Sequence, residues 1–204
     1  RVNLLSGQPA LERPVELSIP GTHAVENALA ASACALAAGA SLEQIAAGLG
    51  LVSAIAGRLE FKPLANNSAV IDDSYNASPS SFRAAIDVLA NRAGRKILVM
   101  GDMAELGEDS INMHSEVGAY ALEAGIDALY AVGEQSASAC AAFGGNHFQS
   151  RELLATAVAQ ELSRASADNR PVTFLVKGSR SAGMEKIVEH LITRGNTCLL
   201  YTSD

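Results

Sequence analysis

Cysteine is scarce in this sequence and shows no ligand spacing. The 204 residues include three cysteines, Cys34, Cys140 and Cys198, which are odd in number and far apart. No Cys-x-x-Cys pair or spaced Cys/His cluster occurs, so the pattern argues against a disulfide framework and against a zinc site. A reducing cytoplasm is the expected location.

The sequence also lacks an excess of basic charge and a long apolar run. Fifteen Lys and Arg stand against 22 Asp and Glu, which gives a net charge of -7 and no basic stripe for a nucleic acid. The most apolar stretch, residues 28–40, is interrupted by Ser32 and Gly39, so we expect no membrane insertion. Apolar residues make up 49% of the chain, which favours a folded protein over a disordered one.

Two nucleotide-binding signatures are absent. No G-x-x-x-x-G-K-S/T sequence occurs, and no G-x-G-x-x-G follows a strand. The sequence starts at Arg1 without an initiator methionine or the apolar core of a signal peptide. We therefore expect a chain cut out of a longer protein.

Residues 1–57 differ from the rest of the chain in composition and in their predicted elements. Alternating apolar residues in 1–19 predict a strand pair, followed by a turn at Pro20–Gly21. An alanine-rich helix is predicted within residues 24–40 and a shorter one over 42–49, with Ser41 as its N-cap. Helices so rich in small residues need a larger partner, which indicates a remnant of another domain.

From residue 58 onward, strands alternate with helices. This alternation predicts an α/β fold with a parallel sheet covered by helices on both faces. The predicted strands cover residues 59–64, 69–71, 96–100, 128–132 and 172–176, with a brief extended piece at 147–148. The first predicted helix begins at Pro79 with Ser78 as its cap, and the others cover 110–124, 134–142, 151–165 and 182–194. Gly195 is expected to end the last helix, and a turn at Asn66–Asn67 to join the first two strands.

Polar residues and glycines follow several of these strands. Ligands bind beyond the carboxyl ends of strands in such sheets, so we expect Asp73, Asp102 and Lys177 at one edge. On spacing alone a second interpretation is equally open. Asp72 and Asp73 could form a turn and cap, and Lys177 could be a solvated loop charge, as could Arg180. Ser179 could cap the last helix.

The same strand ends resemble the motifs of the Mur ligases of peptidoglycan synthesis. The resemblance rests on five sequences in the same order as in that family: HAVENALAA at 23–31, GR at 57–58, DDSYNASP at 72–79, GDMAELG at 101–107, and KGSR at 177–180 with Met184–Glu185. It implies that residues 1–57 end a central ATPase domain and that 58–204 form a Rossmann-like C-terminal domain. The sequences at 74–76 and 177–180 favour the branch that adds D-alanyl-D-alanine.

The resemblance also implies a chemistry. ATP, with Mg²⁺ held mainly by a part of the protein outside this chain, would activate the carboxylate of UDP-N-acetylmuramoyl-tripeptide as an acyl phosphate. The amine of D-alanyl-D-alanine would then attack. The implied protein is a monomeric enzyme of the bacterial cytoplasm, and this chain alone should be inactive.

Site residues carry over by their match to these motifs. Asn27 corresponds to an adenine contact, Arg58 to a phosphate contact and Asp73 to a ribose contact. Arg58 and Lys177 are the catalytic candidates. The candidates for substrate binding are Asp72, Tyr75, Asn76, Lys177, Ser179 and Arg180. No metal ligand is assigned.

Three departures from the family pattern stand out. Ala24 replaces a common asparagine and Ala56 a frequent proline, and residues 197–204 match no expected ending, which suggests a non-native tail.

Three alternatives stay open: a sister ligase that adds another amino acid, a folylpolyglutamate synthase, and a nucleotide-binding module without turnover.

Overall fold

The computed structural model describes residues 2–5, 12–17, 22–52 and 56–197. The chain divides into two compact units, residues 1–55 and 56–204. The turn predicted at Pro20–Gly21 and residues 198–204 of the suspected tail lie outside the described residues.

The first unit combines a strand pair with two helices. Strands β1 (Val2–Leu5) and β2 (Glu12–Val15) pair antiparallel, and helices α1 (Thr22–Ala37) and α2 (Leu42–Gly50) follow. Ser41 caps α2 as predicted: its hydroxyl accepts the Gln44 N–H, and the Gln44 side chain accepts the Ser41 N–H.

The second unit is built on a six-stranded sheet. The strands are β3 (Glu60–Pro63), β4 (Ala69–Asp73), β5 (Arg95–Gly101), β6 (Ala128–Val132), β7 (Asn146–Phe148) and β8 (Val172–Lys177). Their order is β3-β4-β8-β5-β6-β7, and every pairing is parallel except that of the edge strand β3 with β4. The predicted parallel sheet is thus confirmed for five of the six strands.

Five helices cover this sheet on both faces, as predicted. They are α3 (Pro79–Ala90), α4 (Ser110–Glu123), α5 (Ser136–Phe143), α6 (Arg151–Ala167) and α7 (Glu185–Thr197). Alternation along the strands sends Leu175 into one core with α3, α4 and α5, and Phe174 into a second core with α6 and α7.

A crevice lies beside β8, because the helices that follow β4 and β8 pack on opposite faces of the sheet. The chain leaves β4 for α3 on one face of the sheet, whereas it leaves the neighbouring β8 for α7 on the other face. Connections that diverge in this way open a crevice beyond the carboxyl ends of the two strands, and ligands of open α/β sheets bind in such crevices.

The last helix differs from its prediction. It begins at Glu185 instead of residue 182, because Arg180–Ala182 form a 3₁₀ turn that ends at Gly183 with φ +62°. Gly195 does not end the helix, which continues to Thr197. A Cβ at Gly195 would lie 2.8 Å from Leu64 Cδ2, so this glycine serves close packing.

Candidate active site

Asp73 and Lys177 meet at the ends of two adjacent strands. They are paired in the register of β4 and β8. Lys177 Nζ donates to Asp73 Oδ2 at 2.5 Å and to the Asn76 carbonyl oxygen at 2.9 Å, while Asp73 Oδ1 accepts the Leu59 N–H at 3.1 Å. The shared edge expected from the sequence is therefore present, with these two side chains in direct contact.

Lys177 is enclosed rather than solvated. Its residue surface is 2% exposed, and Nζ also lies 5.5 Å from the centroid of the Phe82 ring. Burial lowers the pKa of Lys177, and the neighbouring Asp73 carboxylate opposes this shift. The ammonium group thus donates hydrogen bonds to Asp73 and Asn76 within the protein, and these contacts hold the two residues in place.

Asp72 lies away from this pair. Its Oδ1 accepts the Ser74 N–H at 3.2 Å and the Ser74 hydroxyl at 2.6 Å, and its Oδ2 lies 3.4 Å from Lys62 Nζ on the edge strand β3. Successive side chains of a strand point to opposite faces, so Asp72 and Asp73 diverge. The turn interpretation describes the contacts of Asp72.

Tyr75 gathers two arginines at the same end of the sheet. The guanidinium carbons of Arg58 and Arg180 lie 4.6 and 5.9 Å from the centroid of its ring. The Tyr75 N–H donates to the Gly57 carbonyl oxygen at 3.0 Å, which brings Arg58 to the ring. No carboxylate within residues 56–197 forms an ion pair with either arginine. With respect to this range of residues, the two exposed cations are therefore available to an anion.

Three further candidates have local contacts of their own. The Asn76 side-chain oxygen accepts the Ala77 N–H at 2.9 Å. Ser179 is buried, its hydroxyl lies 3.1 Å from that of Ser181, and it makes no side-chain cap on the 3₁₀ turn that follows. Asn27 is an exposed residue of α1 in the first unit.

Asp102 and His114 received no role from the sequence, yet both hold the loop after β5. Asp102 Oδ1 accepts the Ser136 N–H at 2.8 Å. The fully buried His114 accepts the Met103 N–H on Nε2 at 2.9 Å, and its Nδ1 lies 2.7 Å from the Ser110 carbonyl oxygen. Both ring nitrogens are thus used in a neutral imidazole with its proton on Nδ1. The sequence signals for Asp102 were its position after a buried strand and its place in the GDMAELG motif, and neither assigned it a role.

A cavity of about 440 Å³ opens beside Asp102, and Arg151 and Ser181 contribute to its wall. Among the residues that the structure describes, no three His, Cys, Asp or Glu side chains come close enough to hold a metal ion. None of the described helices has the length and apolar character needed to cross a bilayer.

The fold and these strand ends define a family. Residues 57–180 match the sequence profile described as "Mur ligase, glutamate ligase domain". The chain belongs to the Mur ligase family. This finding confirms the resemblance carried by the five sequence motifs.

Within the family, the similarity narrows to one kind of ligase. The chain is 46% identical over 185 residues to the UDP-N-acetylmuramoyl-tripeptide–D-alanyl-D-alanine ligase of Escherichia coli and 38% identical over 179 residues to that of Haemophilus influenzae. These matches cover 90% and 87% of this chain. A crystal structure of MurF from Acinetobacter baumannii, 37% identical, superposes with a TM-score of 0.81 and covers 89% of this chain and 40% of that one. The chain spans about 40% of the length of these curated relatives.

Proposed function

We propose that this chain is the C-terminal part of an ATP-dependent ligase that joins D-alanyl-D-alanine to UDP-N-acetylmuramoyl-tripeptide during peptidoglycan precursor synthesis. The observation that carries the proposal is the 46% identity, over 90% of the chain, to the Escherichia coli relative of that name. The fold and the two available arginines beside the crevice are consistent with it.

The proposed reaction has two steps, the formation of an acyl phosphate and its aminolysis. A carboxylate oxygen of the tripeptide attacks the γ-phosphorus of ATP, and ADP leaves, which gives an acyl phosphate. The neutral amine of D-alanyl-D-alanine then attacks the acyl carbon. Inorganic phosphate leaves with the former bonding electrons, the amine nitrogen loses a proton, and an amide remains.

Arg58 and Arg180 supply the cationic part of this site. A guanidinium group binds phosphate and carboxylate oxygens in bidentate fashion; ATP presents phosphates, and the dipeptide presents a carboxylate. We assign Arg58 to the ATP phosphates and Arg180 to the carboxylate of the dipeptide. The Tyr75 ring, which is 45% exposed, orients both side chains through cation–π contacts.

Asp73 and Lys177 have different parts in the proposal. Asp73 is assigned to the ribose of ATP, because a carboxylate can accept hydrogen bonds from the two hydroxyl groups of a diol. Lys177 acts on Asp73 as a positioning residue. Asn27 is assigned to the adenine, whose edge an amide can pair with.

The described residues do not fit a Mg²⁺ site of their own, because their carboxylates form no cluster. We assign the ligands of that ion, together with the phosphate-binding loop, to the part of the ligase that this match does not cover. The enzyme is proposed to be a monomer of the bacterial cytoplasm, a reducing compartment in which the free thiols of Cys34 and Cys140 persist.

A chimaera tests the proposal. The segment of the Escherichia coli relative that matches this chain, 40% of its length, is replaced with the corresponding residues of this chain. The purified protein should release phosphate and form the pentapeptide product when ATP, Mg²⁺, the UDP-linked tripeptide and D-alanyl-D-alanine are all present. Omission of the dipeptide is the control. Product formation with a single amino acid in place of the dipeptide would assign the chain to a sister ligase instead.

A further inference from the structure

Asp102 connects the loops that follow three adjacent strands. It comes directly after β5, and its carbonyl oxygen accepts the Ser179 N–H at 2.8 Å. Its carboxylate accepts the N–H of Ser136, the first residue of α5, at 2.8 Å. Ser179 follows β8 and Ser136 follows β6, so one residue links the ends of β8, β5 and β6.

The Asp102 carboxylate occupies space that a side chain at position 133 would fill. Gly133 has φ +117°, and a Cβ at that position would lie 2.3 Å from Asp102 Oδ1. Only glycine leaves this space. The carboxylate also meets the N-terminal end of α5, where backbone N–H groups lack helical partners and negative charge is favoured.

The loop between β8 and α7 lies directly against the end of β5. A Cβ at Gly101 would lie 2.8 Å from Met184 Cγ, and a Cβ at Gly178 would lie 2.7 Å from the same atom. On its other side, the loop after β5 is tied to His114 through the Met103 N–H. A shift of Asp102 would therefore be transmitted to Ser179 and to the adjoining Arg180.

We propose that Asp102 is a positioning residue. Its carboxylate fixes the loop after β5, and the carbonyl oxygen of Asp102 thereby holds Ser179 and the adjoining Arg180 in place for the dipeptide. The role of Arg180 in this statement rests on the proposed function. Asp102 itself makes no contact with the substrate. Its side chain needs only an acceptor oxygen for the Ser136 N–H, whereas a direct contact with the dipeptide ammonium would need the negative charge.

Asp102→Asn and Asp102→Ala separate these two roles in the chimaera. Asn keeps an acceptor oxygen, so its KM for the dipeptide should stay within about threefold of the unsubstituted value. Ala leaves the Ser136 N–H unpaired, and its dipeptide KM should rise roughly tenfold, equivalent to about 1.4 kcal/mol. The KM for ATP should change less than twofold in both. Asp109→Ala is the control, because Asp109 is an exposed residue of a second 3₁₀ turn, Gly107–Asp109, which precedes α4.

Hydrogen exchange of the 204-residue chain gives a readout that does not depend on turnover. Exchange of the Ser179 amide should accelerate at least tenfold in Asp102→Ala and stay near the unsubstituted rate in Asp102→Asn. A dipeptide KM that rises equally in Asn and Ala, while Ser179 exchange in Asp102→Asn stays near the unsubstituted rate, would show that the charge acts on the dipeptide directly and would overturn the positioning role. An unchanged Ser179 exchange rate in Asp102→Ala would overturn it as well. A chimaera that fails to use the dipeptide would reject the proposed function, while the exchange comparison would still decide the role of Asp102 in the loop.

Discussion

Lys177 Nζ lies 2.5 Å from Asp73 Oδ2, although 104 residues separate the two in the sequence. The parallel pairing of β4 with β8 places them side by side, and the Asn76 carbonyl oxygen accepts a second hydrogen bond from the same ammonium group. This buried pair fixes the end of β4, and Tyr75, whose ring contacts Arg58 and Arg180, follows that strand end by two residues.

Loss of the lysine should destabilise the second unit strongly. Lys177→Met removes the lysine ammonium group from the buried Asp73 carboxylate, and the free energy of unfolding should fall by about 3–5 kcal/mol. Urea unfolding followed by circular dichroism measures the change. Glu116→Gln breaks the exposed pair with Arg83 and should cost less than about 1 kcal/mol. Similar losses in the two variants would contradict the burial argument.

Cys140 should make stability fall at alkaline pH. Burial raises the pKa of this thiol from 9.0 to about 11. Below pH 9 the thiol is protonated in both states, and between pH 9 and 11 the unfolded chain loses the proton while the folded chain keeps it. The contribution of Cys140, about 2–3 kcal/mol, is therefore lost as pH rises through this window.

Two alanine variants isolate that effect. Cys140→Ala should lack this part of the decrease in unfolding free energy between pH 9 and 11, whereas Cys34→Ala should keep it, because Cys34 is exposed. The measurement is urea unfolding of each variant at several pH values. A decrease of the same size in Cys140→Ala would assign it to other groups.

Arg180 should affect the use of the dipeptide by the chimaera more than its use of ATP. Arg180→Lys keeps the charge but loses the bidentate geometry, so the dipeptide KM should rise roughly tenfold while the ATP KM changes less. Arg83→Lys is a matched control, since Arg83 lies 5.2 Å from the Tyr120 ring centroid in a similar cation–π contact. Equal effects on both substrates would remove Arg180 from the dipeptide site.

The 204-residue chain alone should show no ATP hydrolysis and no ligation. Phosphoryl transfer depends on cations and backbone N–H groups aimed at the phosphates, and this sequence has no G-x-x-x-x-G-K-S/T loop to provide them. Phosphate release is measured with ATP, Mg²⁺, the UDP-linked tripeptide and D-alanyl-D-alanine. Turnover near that of a complete ligase would place the catalytic groups within this chain.

Much of the fold could be predicted because its signals are local. Ser78 caps α3 with Pro79 at the first helical position, and the turn between β3 and β4 places Asn66 and Asn67 at φ +53° and +56°. Gly195 misled the prediction, because a glycine required for packing against Leu64 has the same sequence signature as one that ends a helix.

The candidate site was predicted less completely. Motif resemblance selected Arg58, Tyr75 and Arg180, which the structure gathers around one ring. It also selected Lys177 as a substrate contact, although the lysine is enclosed by Asp73 and Phe82. Burial depends on what packs over a side chain, and a strand-end motif does not contain that information.

The sequence by itself determined the succession of strands and helices and the motifs that follow the strands, because caps, propensities and apolar periodicity act over a few residues. Only the tertiary structure decided that β8, the last strand, lies between β4 and β5. That insertion brings Lys177 to Asp73 and Ser179 to Asp102. It depends on how two apolar cores pack against opposite faces of one sheet, and packing over such long sequence separations leaves no local pattern in the chain.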